Sequence, residues 1–185
     1  MSRLVIVSNR VALPDKASSG GLAVALQAAL EETGGLWFGW SGRIDEETSG
    51  NVREQQAGDI QYVTVDLSRR DHDDYYNGFA NRTLWPLLHF RVDLVDYSRE
   101  TYAAYRRVNA LFADTLAPLL RDDDLVWIHD YHLIPLAQLA QWLQDAHTVD
   151  GIVKGLKQPD WPADPWDALH RMAVKVAQAL APLRG

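Results

Sequence analysis

The chain has 185 residues, 47% of them hydrophobic and 23% charged, with no cysteine. That balance suits one soluble globular domain, or one domain with an appendage, and the cysteine count excludes disulfides and thiolate metal sites. A net charge of −7 argues against nucleic acid or an anionic membrane as a partner of the whole protein, while leaving room for a local basic pocket. No apolar run approaches the roughly 18 residues that span a bilayer, and the first one is too short for a secretory signal. A cytoplasmic protein is expected.

In chain order, Leu4 to Val7 is a β-branched run that predicts a buried strand ending in Ser8-Asn9-Arg10. A loop follows, with Pro14, Asp15 and Ser18-Ser19-Gly20-Gly21, and then an Ala-rich helix from Leu22 to about residue 32, closed by Gly34-Gly35. Leu36 to Trp40 predicts a second strand and Ile60 to Leu67 a third. Residues 102–120 read as a helix whose face carries Tyr105, Val108, Leu111, Phe112, Thr115 and Leu119. Asp122-Asp123-Asp124 separates it from a short strand, Leu125 to Ile128, expected to be buried, and a further helix begins at Leu133. This alternation predicts an α/β fold, a Rossmann-like parallel sheet with flanking helices in which Leu4–Val7 and Leu125–Ile128 run parallel.

Three constellations carry chemistry. Arg10 stands beyond the first strand, and Gly20 and Gly21 lead into a helix, a layout that presents a guanidinium and backbone N–H groups to an anion. A surface arginine beside a flexible loop is the competing reading. The second constellation runs from Asp74 through Tyr75, Tyr76, Asn77, Phe79 and Asn81 to Trp85, His89 and Phe90. Aromatics with polar tips beside amides suit a sugar surface. Phe79 and Phe90 are expected in the core, whereas Tyr76 and Trp85 flank Asn and Arg82 and fit a site. The third is His129-Asp130-Tyr131-His132, at a strand end where such folds place ligands. A His-x-x-His metal reading is disfavoured, because the turn splays the two rings and no third ligand stands out. Asp130 either accepts bonds from sugar hydroxyls or caps the next helix.

Together with Gly35-Leu36-Trp37-Phe38-Gly39-Trp40-Ser41-Gly42, these motifs resemble the trehalose-6-phosphate synthases of the bacterial type, in that family's order, over roughly residues 1–140. The resemblance implies one half of a two-domain glycosyltransferase fold. It implies retaining transfer of glucose from UDP-glucose to glucose 6-phosphate, without a metal or cofactor. Arg10 would contact the acceptor phosphate. Tyr76, Trp85 and Asp130 would line the acceptor site with Trp40 nearby, and Gly20 and Gly21 would lie against the nucleotide-sugar.

Beyond about residue 140 the likeness stops. Family members continue into a strand ending in His-x-Pro-Phe-Pro and then a second domain, and residues 141–185 show neither. They read instead as a helical tail, with a proline-rich link over 158–165 and a final helix over 166–180 started by Asp164-Pro165. The expectation is a truncated chain that is inactive alone, with a homo-oligomeric or donor-domain partner left open. The alternative is a non-catalytic module that binds a sugar phosphate or another protein. A nicotinamide oxidoreductase is a distant third, since the Gly-x-Gly-x-x-Gly fingerprint is absent.

Overall fold

The computed structural model describes residues 3–14 and 21–137. The expected tail helix, the proline-rich link, most of the helix from Leu133 and the domain boundary near residue 140 lie outside the described residues. One five-stranded sheet has the order β3-β4-β2-β1-β5. β1 (Leu4–Arg10), α1 (Gly21–Thr33) and β2 (Gly35–Asp45) form the expected strand–helix–strand unit, and Gly34, at φ 67°, closes the helix in the left-handed region. β4 (Ile60–Ser68) pairs parallel with β2. β5 (Leu125–Ile128) pairs parallel with β1 on the other side, from Leu4 opposite Leu125 to Val7 opposite Ile128.

One strand has no counterpart in the sequence reading. β3 (Val52–Ala57), Val-Arg-Glu-Gln-Gln-Ala, pairs antiparallel with β4 across a turn at Gly58-Asp59. Its backbone ladder makes it a strand, not an apolar pattern, and its charged side chains suit an edge. β2 and β4 are therefore joined through an antiparallel strand, and the helix–strand alternation is interrupted there.

Period-two alternation divides the sheet's side chains between two cores. Ile6, Trp37 and Tyr62 pack with Leu26 and Leu30 of α1. Val5, Val7, Leu36, Phe38, Val63 and Val65 pack on the opposite side, with Tyr75, Phe79, Tyr105 and Phe112. That second layer comes from a 13-residue π-helix, His72–Leu84, and from α2 (Arg99–Leu116). α2 starts three residues earlier than expected, because Ser98 caps it by accepting a bond from the Thr101 N–H at 3.1 Å. Its buried stripe is Tyr105, Val108, Asn109, Phe112 and Leu116, with Leu111 and Thr115 only half-buried at its margin.

Two burial expectations are corrected. β5 is not a buried strand: it lies at the sheet edge among the described residues, with Leu125 63% and Trp127 49% exposed. Phe90 is not a core residue. It is 91% exposed and sits at φ 57°, after the short helix Trp85–Leu88 has ended. The acidic run before β5 is more than a separator, because Asp124 is buried and receives both ends of the Arg3 fork, at 2.9 and 2.6 Å. This clamp ties the start of β1 to the start of β5.

Candidate functional site

The candidate residues gather at the carboxyl ends of β1, β2 and β5. Arg10 closes β1 and lies opposite Trp40 of β2. Its guanidinium carbon stands 5.7 Å from the Trp40 ring centroid, within cation–π reach. The Trp40 indole N–H donates to the Arg43 carbonyl at 2.8 Å, so the ring is fixed and its donor is spent. Gly42 forms the other wall. A Cβ there would lie 2.7 Å from Arg10 Nε, so only glycine lets the strand pass so close to the fork. Among the described residues no carboxylate pairs with Arg10. A planar fork held between an indole and a backbone, with its donors unspent among the described residues, suits a phosphate.

A ribbon of rings leads away from Trp40. His72 lies 5.2 Å from Trp40, and Tyr76 stacks on His72 at 5.4 Å. His132 stacks on Tyr76 at 5.1 Å and 15°, Tyr131 lies 4.1 Å from His132, and Trp85 lies 5.6 Å from Tyr131. The π-helix explains which aromatics join it. Tyr75 and Phe79 face the sheet and are buried, while His72 and Tyr76 stay half-buried on the ribbon. Such i→i+5 helices are frequent at functional sites. Trp85 follows directly, 47% exposed, with His89 against it at 3.6 Å.

Asp130 sits where β5 gives way to the short 3-10 turn Tyr131–Leu133, with φ 82° and ψ 150°. For a residue with a side chain this backbone costs roughly 1–3 kcal/mol and persists only where its surroundings fix it. Two bonds do so. Oδ1 accepts from the Tyr131 N–H at 2.7 Å, and Oδ2 lies 2.9 Å from His132 Nδ1. The cap reading and the site reading thus hold together, since one oxygen caps the turn. Burial pushes the Asp130 carboxyl up. The His132 bond and charge, with the Tyr131 N–H, outweigh that and leave it below the ordinary carboxylate range. Asp130 accordingly presents an oriented carboxylate, held by the Tyr131 N–H and His132, that can accept further hydrogen bonds. Burial first, and then the Asp130 charge, push the Tyr131 phenol up to about 12, and its O–H donates to Asn81 Oδ1 at 2.8 Å.

The two histidines of the His-x-x-His part company. His129 lies against Trp127 at 4.3 Å, and burial pulls its pKa down against a smaller opposing pull from Asp130. His132 is buried between Tyr76 and Tyr131.

Arg10, Trp40, Tyr76, Trp85 and Asp130 thus line one continuous feature. Gly21 stands apart from it at the start of α1, where a Cβ would meet nothing within 4 Å. Gly20 lies outside the described residues. Sequence reasoning missed three contributors: His72, Gly42 and the role of His132 beside Asp130. The four-residue step from His72 to Tyr76 could have signalled the first, had a helix been recognised there.

The mixed, mainly parallel sheet with helices on both faces is that of an α/β half-domain, and residues 4–148 match glycosyltransferase family 20. The chain belongs to that family. It is 54% identical over 139 residues to the trehalose-6-phosphate synthase of Klebsiella pneumoniae, covering 74% of this chain and 29% of that protein. It is 41% identical to an α,α-trehalose-phosphate synthase (UDP-forming) from Burkholderia xenovorans solved in complex with glucose-6-phosphate. That match has a TM-score of 0.73 over 97% of this chain and 39% of the other. An E. coli structure bound with UDP-2-fluoro glucose matches at 50% identity and a TM-score of 0.69, over 76% of this chain and 30% of that one. The chain thus spans about three tenths of the length of its curated relatives. No helix among the described residues is long and apolar enough to cross a membrane.

Proposed function

We propose that this chain binds glucose 6-phosphate at the ends of β1, β2 and β5. In this reading it forms the acceptor-binding part of a trehalose-6-phosphate synthase, which transfers glucose from UDP-glucose. The observation that carries the proposal is the Arg10 fork, seated on Trp40 and against Gly42 without a carboxylate partner among the described residues, at one end of the ring ribbon that also holds an ionised Asp130. Arg10 takes the phosphate through charge-assisted bonds. Asp130 accepts from sugar hydroxyls, while Tyr76 and Trp85 cover the sugar's C–H surface. Trp40 supports Arg10 instead of bonding the ligand, because its N–H is already used. Gly21 opens α1, whose N-terminal N–H groups and dipole favour the diphosphate of the nucleotide-sugar, and by the family resemblance Gly20 joins it there. The relatives solved with glucose-6-phosphate and with UDP-2-fluoro glucose support both halves of this reading.

Transfer also requires preorganised groups against the charge of the departing UDP. By the family resemblance these lie in the second domain. We expect a polypeptide of these 185 residues alone to bind acceptor without turnover. Calorimetric or NMR titration with glucose 6-phosphate tests the binding. An open site predicts a Kd no better than about 1 mM, roughly −4 kcal/mol. Unchanged binding by Arg10→Ala would place the phosphate elsewhere and remove the assignment.

A further inference from the structure

Asp130 is the acceptor-site residue least able to hold itself. Its backbone is in a conformation that side chains disfavour, and its side chain is 33% exposed. Only one side chain among the described residues bonds it, and that side chain is His132, 4% exposed. Because the bonded atom of Asp130 is a carboxylate oxygen, His132 Nδ1 carries the proton and donates.

The imidazole is itself held from several directions. Tyr76 stacks on it at 15°, Tyr131 lies 4.1 Å away, and Tyr75 meets it edge-on at 6.2 Å. Asn109 Nδ2 donates to the His132 carbonyl at 3.0 Å, anchoring the backbone to α2. The ring thus touches Asp130 through its proton and Tyr76 through its face, and both partners belong to the acceptor site. Its Nε2 is buried with no hydrogen-bond partner among the described residues. An unpartnered buried nitrogen is costly, and simple packing would be served better by a hydrocarbon ring.

We propose that His132 is a positioning residue of the acceptor site, fixing the Asp130 carboxylate through Nδ1–H and aligning the Tyr76 ring through its face. The inference rests on the acceptor-site reading for its functional meaning. Its structural content, the His132–Asp130 coupling, can be measured without a ligand.

Three variants of the full 185-residue chain separate the two contacts. His132→Phe keeps a ring for Tyr76 and removes the donor. His132→Asn places an amide N–H close to where Nδ1–H was and removes the ring. Asp130→Asn identifies the Asp130 signal. The probes are glucose 6-phosphate binding and the carboxyl carbon-13 signal of Asp130, followed with pH. H132F should bind about tenfold more weakly, the loss of one charge-assisted bond, and its Asp130 signal should titrate at higher pH than in the parent. H132N should recover most of the titration shift and part of the affinity. Parent-like binding and titration in H132F would overturn the proposal, and so would H132N behaving like H132F in both. If the parent itself fails to bind glucose 6-phosphate, the acceptor reading falls, while the carboxyl titration still decides the coupling. Should H132F not fold, nitrogen-15 spectra of the parent decide. His132 Nδ1 must stay protonated and shift in step with the Asp130 titration, and an Nδ1 that ignores that step refutes the coupling.

Discussion

Replacing Gly42 by alanine should disable the phosphate end of the site without substituting any residue that contacts the ligand. Gly42 has φ 79°, and a Cβ there would lie 2.7 Å from Arg10 Nε, 2.8 Å from its terminal nitrogen and 2.9 Å from its central carbon. No Cβ tolerates such distances. The obstructing atoms are the end of a flexible side chain, so relief comes from the guanidinium leaving Trp40, with little backbone movement. The left-handed backbone adds roughly 1–2 kcal/mol for a residue other than glycine. For a chain of this size that lowers Tm by roughly 2–8 °C. Losing a charge-assisted bond to phosphate costs roughly 1.5–3 kcal/mol, or about 10- to 150-fold in Kd. Chemical-shift titration with glucose 6-phosphate, beside thermal melts, measures both. The double variant R10A/G42A should bind no worse than R10A and should lose less stability from the second change, because the clash has gone while the backbone strain stays. A stable G42A chain that binds like the parent would refute the reasoning, since Arg10 would then not need the place it occupies.

Other outcomes follow from the same contacts. Arg3→Ala leaves Asp124 buried and without its ion-pair partner, and should cost roughly 3 kcal/mol in urea unfolding, as broken buried pairs do. Because the Asp130 carboxyl lies below its ordinary value, its contribution to stability is complete above the unfolded value of about 4 and is lost as pH falls through the folded value. Asp130→Asn should accordingly show a shallower acid limb than the parent in unfolding midpoints between pH 6 and pH 2. A purified polypeptide of these 185 residues, given UDP-glucose and glucose 6-phosphate, should release no UDP above background, and trehalose 6-phosphate formation in that assay would contradict the proposal that it binds acceptor without turnover.

The β-branched and aromatic runs at Leu4, Leu36 and Ile60 determined three strands, and Gly34 determined where α1 stops, because these signals are local. Arg10, Tyr76, Trp85 and Asp130 could be nominated as a candidate sugar-phosphate set because their chemistry does not depend on where the chain places them, whereas Trp40 entered only through the family resemblance. Tertiary structure decided the rest. β3 is a strand because β4 offers it a backbone ladder, a contact blind to side-chain pattern. Phe79 is buried and Phe90 exposed because one lies on the sheet-facing side of the π-helix and the other beyond the next helix's end. Asp124 is a clamp and not a solvated charge because Arg3, 121 residues away, is brought beside it when β1 pairs with β5. His132 serves Asp130, and Gly42 serves Arg10, for the same reason. These are contacts between side chains, or between a side chain and a backbone, fixed by packing, and residue type and spacing carry no record of them.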